Sequence, residues 1–154
     1  GQFSQSLEQP GTVANFALTT ARYALPADYY EKYLGQWNRI VAIERTIRNI
    51  VVSGVPLKGK LDKLEFDGKQ VNVVDYKTGN VDNAKPKLLP PNEKEPDGGD
   101  YWRQAVFYKI LVDNYEQKNW QVASTEFDFI EPDKKKAYQK IKVVITPGLL
   151  FRRN

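Results

Sequence analysis

Asp62, Asp75 and Lys77 are the residues of this chain best suited to act together on a substrate. They lie in two apolar runs separated by Asp67-Gly68, a strong two-residue hairpin signal. Strands are expected over Leu57–Phe66 and Lys69–Thr78. With Asp67 and Gly68 as the loop, Phe66 pairs with Lys69, Leu64 with Val71, Asp62 with Val73, and Lys60 with Asp75. Opposed residues share a face and side chains alternate along each strand. Asp62, Val73, Asp75 and Lys77 are therefore expected on one face, with the two aspartates as diagonal neighbours.

Two carboxylates so close repel each other, and one must hold a proton unless a cation sits between them. Magnesium meets that need with oxygen ligands, commonly one or two carboxylates plus waters and substrate phosphate. A metal ion eases deprotonation of water and stabilises charge growing on a phosphate. A neighbouring lysine can orient the attacking water or neutralise the phosphate. Two acids and a lysine thus suit phosphodiester hydrolysis.

Composition narrows the options in the same direction. The 154 residues contain no cysteine and no histidine. Disulfides, thiolate zinc sites and cysteine-held iron–sulfur clusters are excluded, as are Ser–His–Asp triads and imidazole metal sites. Acid–base work falls to Asp, Glu, Lys or Tyr, and any metal must be a hard ion held by oxygen. The net charge is +4, with the first 38 residues at −1 and the remainder at +5. That distribution suits a polyanionic partner only weakly. No apolar run reaches the ~20 residues of a membrane span. Methionine is also absent, and the chain is expected to be a domain of a longer protein.

The acid-x-Lys pattern alone is weak, since it occurs at Asp67, Asp75, Glu116 and Asp133. Only the Asp75 copy sits in an apolar strand beside a second carboxylate. The competing reading is a solvated face with a Lys60–Asp75 cross-strand pair. Val71 and Val73 on the same face weigh against a plain surface.

Several elements must position these residues. Residues 1–26 form an expected arm or truncated helical segment, and 27–154 the core. Pro26-Ala27-Asp28 opens an expected helix through Trp37, with Tyr29, Tyr30, Tyr33 and Leu34 at helical spacing. Arg39–Val52 reads as a strand. Residues 79–100 are rich in Gly and Pro and read as a long loop. Lys85, Lys87 and Lys94 there are candidate phosphate contacts, and a plain surface insertion is an equal alternative. Asp100–Asn114 reads as an amphipathic helix with Asp100 as N-cap. Strands follow over Thr125–Ile130 and Lys140–Ile145, separated by a basic turn at Lys134–Lys136. The expected class is α/β, a central mixed sheet flanked by helices.

The chain resembles the RecB-like nucleases of the PD-(D/E)XK superfamily, as fused to UvrD/RecB-type helicases. Three pieces carry the resemblance in order: Gly59-Lys60-Leu61-Asp62, Val73-Val74-Asp75-Tyr76-Lys77-Thr78-Gly79, and Gln104-Ala105-Val106-Phe107-Tyr108. They span residues 57–111. The resemblance implies a restriction-endonuclease-like core. It implies Asp62, Asp75 and the Tyr76 carbonyl as ligands of Mg²⁺ or Mn²⁺, with Glu44 as a further candidate acid. Lys77 would act in catalysis. Gln104 and Tyr108 would line the site and hold the DNA strand, with Lys60 and Arg103 as further DNA contacts. The implied partners are single-stranded DNA ends and helicase domains of the same longer chain, and the implied place is the bacterial cytoplasm. The implied role is an exonuclease domain in DNA repair and recombination.

Two features depart from that family. Its usual histidine on an N-terminal helix is missing, and the closest string, Gly11 to Leu18, has Asn15 in its place. The absent cysteines also separate this chain from relatives that carry an iron–sulfur cluster. The alternatives are a catalytically weak DNA-binding or interaction module, favoured by the missing histidine, and an unrelated phosphohydrolase using an oxygen-held metal.

Overall fold

The computed structural model describes residues 41–115 and 117–146. The expected arm at 1–26 and the helix over 26–37 lie outside the described residues. The chain forms β1 (Val41–Val52), β2 (Val55–Asp67), β3 (Gln70–Lys77), a four-residue helix α1 (Val81–Ala84), a 3-10 turn (Lys85–Leu88), the long helix α2 (Asp100–Asp113), β4 (Gln121–Phe129) and β5 (Lys140–Val143). The strands make one sheet in sequence order. β3 and β4 are parallel and the other neighbours antiparallel. This is the mixed α/β sheet expected of a restriction-endonuclease-like core. Among the described residues, no helix is long and apolar enough to cross a membrane.

The parallel pair explains why a helix stands between β3 and β4. Parallel neighbours need a crossover, and α2 supplies it. Trp102, Ala105, Tyr108, Leu111 and Val112 form its buried stripe. That stripe packs on Leu64, Val71, Val73 and Val122 at one end and on Phe127 and Phe129 at the other. The C-terminal end of α2 is tied down by the Val122 N–H donating to Asp113 (2.7 Å) and by Lys109 donating to the Val122 carbonyl (2.9 Å). β3 is covered on both faces, with Val73 and Val74 fully buried, so its sequence shows no clean alternation.

The hairpin register differs from expectation by two residues. Phe66 pairs with Val71, Leu64 with Val73 and Lys63 with Val74. The turn residues are Gly68 and Lys69, not Asp67 and Gly68. Gly68 has φ +60°, so the first loop position takes the left-handed conformation that glycine tolerates. A shift of two leaves every side chain on its expected face. It moves the pairing, however: continuing this register sets Asp62 opposite Asp75, where Lys60 was expected.

Alternation also breaks in β1 and β2. Ala42 and Ile47 share one buried cluster with Leu61 and Leu64. Both spacings are odd, so each strand reverses its facing within that span, and β1 does so again at the register shift between Ile47 and Ile50. The first reversal lies between the paired residues Ile43–Lys63 and Arg45–Leu61, at Glu44 and Asp62. Glu44 has φ +52°, the left-handed region that non-glycine residues seldom enter.

Three further expectations are corrected. Residues 79–100 are not a bare loop, because α1 and the 3-10 turn lie within them. Asn80 caps α1 by accepting from the Asp82 N–H at 2.7 Å. The N-cap of α2 is Gly99, and Asp100 is its first helical residue. β4 begins at Gln121 rather than Thr125. Its register slips between the pairs Val71–Val122 and Asn72–Ser124, leaving Ala123 as an extra residue. That bulge hides the period-two pattern over its first four positions.

Candidate active site

Asp75 lies near the C-terminal end of β3, facing α2, and is 5 % exposed. Its Oδ2 accepts from the Tyr108 hydroxyl at 2.5 Å, and its Oδ1 lies 3.2 Å from Lys77 Nζ. Lys77 also donates to Gln104 Oε1 at 2.8 Å, and Gln104 Nε2 donates to Tyr108 Oη at 2.9 Å. The four side chains close a ring: Asp75, Lys77, Gln104, Tyr108 and back to Asp75. Two come from alternate positions of one strand and two from positions four apart on one helix, the spacings that share a face.

Asp62 joins from the neighbouring strand. Its Oδ2 accepts from the Tyr76 backbone N–H at 3.0 Å. The carboxylate thereby takes a strand N–H at the point where β2 reverses its facing. Gly59 lets β2 run this close to the helix. A Cβ there would stand 2.6 Å from Leu111 Cδ2 and 3.2 Å from Phe107 Cε1. The residue is glycine because the helix leaves no room for a side chain.

Burial raises the Asp75 carboxyl above its ordinary range. The Tyr108 hydrogen bond and the Lys77 charge pull it back down, and the Asp62 charge raises it again. The Tyr108 hydroxyl is pushed far up, first by burial and then by the charge of Asp75. It is therefore a hydrogen-bond donor at any working pH and not a base. The site thus has one firmly held carboxylate, a second acid beside it and one ammonium group, all bordered by the face of α2.

The remaining expected site residues are placed differently. Lys60 is exposed and paired with Thr46. Its neighbours Gly59 and Leu61 face α2, so Lys60 points away from Asp75, and no Lys60–Asp75 pair forms. The cause is the facing reversal at Asp62. Arg103 is exposed and bonded to Asp100 and to the Gly98 carbonyl, which keeps it off the ring. Glu44 stands opposite Asp62 by register, but its side chain is exposed. Among the described residues, no group of three or more acidic side chains gathers to hold an ion.

Tyr101, which is not among the expected site residues, lies against the ring of four. Lys77 Nζ lies 4.4 Å from the centre of its ring, which stacks on Phe127 at 5.4 Å. Its spacing was a usable signal: Tyr101 precedes Gln104 by three residues and Tyr108 by seven, one continuous helix stripe.

The donor set fits a hard divalent ion. Asp62 and Asp75 stand on adjacent strands close enough to influence each other's charge, Asp75 is buried and raised, and the chain has no cysteine or histidine to offer a softer ligand. A model of the PD-(D/E)XK nuclease superfamily matches residues 5–148. No curated protein matches the chain.

Proposed function

Because the chain belongs to the PD-(D/E)XK nuclease superfamily, we propose that it is a divalent-metal-dependent deoxyribonuclease with Asp75, Lys77 and Asp62 at its centre. The observation that carries the reading is the closed ring of Asp75, Lys77, Gln104 and Tyr108 with Asp62 alongside. Asp62, Asp75 and the Tyr76 carbonyl would hold Mg²⁺ or Mn²⁺. When bound, such an ion polarises phosphoryl oxygens and makes water easier to deprotonate.

The chain's own groups do the rest. Lys77 presents its ammonium beside Asp75, where it can neutralise a phosphate oxygen or orient the attacking water. Gln104 fixes Lys77 by accepting a hydrogen bond from its ammonium, and the cation lies over Tyr101. Tyr108 holds Asp75 in one rotamer, and Gln104 holds Tyr108. Every group near the reacting phosphate is thus fixed by another, so little reorganisation is needed on reaction. We further propose an exonuclease acting on single-stranded ends within a longer helicase-containing protein of DNA repair. The three motif pieces spanning residues 57–111 support that finer assignment.

The test is cleavage of end-labelled and circular DNA, single-stranded and duplex, with Mg²⁺ or Mn²⁺. Cleavage restricted to molecules with free ends supports an exonuclease. Cleavage of circles makes the enzyme an endonuclease. Absence of cleavage with either ion on all four substrates overturns the nuclease reading for this chain.

A further inference from the structure

The segment between β3 and α2 contributes a second cation to the same aromatic ring. Lys87, in the 3-10 turn, places Nζ 5.3 Å from the centre of the Tyr101 ring, and Lys77 lies 4.4 Å from it. The two ammonium groups are therefore no more than about 10 Å apart, a span covering only a few successive phosphates of one strand. Lys87 is exposed. Of the other lysines of the segment, Lys85 pairs with Asp82 at 3.6 Å, and Lys94 lines, together with Lys87, a cleft that also holds Glu95, Asp97, Asp100 and Arg103; of the three, Lys87 is the one set over the Tyr101 ring.

The position of Lys87 is built into the fold. The Gly99 N–H donates to the Leu89 carbonyl at 2.9 Å. A Cβ on Gly99 would meet the Lys87 carbonyl oxygen at 2.3 Å and its Cα at 2.6 Å. Both are backbone atoms, so only glycine allows the turn to sit this close to the start of α2. Gly98, with φ +78°, does the same against Trp102. The backbone that bears Lys87 is thus clamped to the helix that bears Tyr101, Gln104 and Tyr108.

We propose that Lys87 binds the backbone phosphate next to the one at Lys77, with Tyr101 as the positioning residue that holds both cations. This rests on the nuclease reading above and adds a substrate contact outside the reacting group. Two cations held by one ring accommodate a nucleic acid strand, which repeats its charge, better than an isolated phosphoester. Neutralising one phosphate of a single strand changes the slope of log K against log salt by about 0.7. Loss of Lys87 must therefore appear in that slope.

The experiment measures binding of a fluorescein-labelled 20-mer oligothymidylate to the full chain across a salt series without divalent ion, together with kcat and KM for its cleavage. Lys87→Gln should weaken binding about fivefold near 0.1 M salt and flatten the slope by about 0.7. It should raise KM and leave kcat within about twofold, the mark of a contact made equally in ground and transition states. Lys87→Arg should restore the slope, and Lys85→Gln should leave it unchanged. Gly99→Ala should reproduce the Lys87→Gln slope although the lysine is still present. Tyr101→Leu, which removes the ring, should lower kcat and flatten the slope together. A wild-type slope in Lys87→Gln, or an equal change in Lys85→Gln, overturns the proposal. If the chain cleaves no DNA yet Lys87→Gln still flattens the slope, the phosphate site stands and the nuclease reading falls.

Discussion

The Tyr108 hydroxyl donates to Asp75 Oδ2 at 2.5 Å across 33 residues of sequence. The bond ties the middle of α2 to the end of β3, and it supplies the donor that a buried carboxylate requires. Tyr108→Phe removes it while keeping the ring's volume. Stability should fall by about 1–3 kcal/mol, the usual penalty for leaving a buried polar partner unsatisfied. Cleavage should fall about tenfold, because Asp75 and Gln104 both lose a fixed neighbour. Urea unfolding and steady-state kinetics on one preparation check both numbers.

Asp75→Ala and Lys77→Ala should each reduce cleavage by at least about a hundredfold, in line with removal of a group that acts on transition-state charge. Binding of single-stranded DNA should change by less than about tenfold, because the phosphate backbone is held by other cations as well. Equal loss of binding and cleavage would instead favour a DNA-binding module. The two measurements should be made at one salt concentration.

Gln104→Ala should lower kcat more than it lowers stability. Gln104 is only partly buried, and its chief partner is the Lys77 ammonium. Combining it with Tyr108→Phe should cost less than the two single effects together, since both break one ring. A double-mutant cycle on kcat/KM gives the coupling, and strict additivity would mean the ring does not act as a unit.

The raised carboxyls set the sign of the pH dependence. Burial lifts Asp75, and burial followed by the Glu65 charge lifts Glu126. A carboxyl raised by folding binds a proton in the folded state where the unfolded chain does not. Its stabilising contribution is present at low pH and is lost as pH rises through the folded pKa. Without metal, wild type should therefore lose stability relative to Asp75→Asn as pH climbs upward from about 4, the ordinary carboxylate value. Mg²⁺ should reverse the trend for wild type by binding the ionised form, and Asp75→Asn should show no Mg²⁺-induced rise in Tm. Thermal melts with and without the ion, over pH 4 to 8, give all four curves.

Gly59→Ala should destabilise the fold by about 1–3 kcal/mol through overpacking. The added methyl meets Leu111 and Phe107, so those side chains or β2 must shift. Asp62 lies three residues along that strand, so cleavage should fall further than stability alone explains. A lower urea midpoint with unchanged kcat would show that Asp62 keeps its place.

Much of the site was legible because its parts are local. Asp75 and Lys77 lie two apart on one strand and follow from its alternation, whereas Gln104 and Tyr108 were implied by the family resemblance, and their four-residue spacing only puts them on one helix face. The hairpin error did little harm, since a slip of two preserves the faces. Lys60 was misplaced for a different reason. β1 and β2 both reverse their facing at Glu44 and Asp62, and no residue type there announces it: the left-handed residue is a glutamate, not a glycine. α1 was overlooked because four residues are too few to establish a helical period. The start of β4 was overlooked because Ala123 interrupts its alternation.

The ring also bears on how the enzyme can fail. It is closed by two elements only, β3 and α2, and each of the four side chains is held by its neighbours in the circle. If the helix lifts from the sheet, Asp75 loses Tyr108 and Lys77 loses Gln104 at the same time. Partial fraying of α2 would therefore weaken the Tyr108 and Gln104 contacts as a pair rather than one at a time.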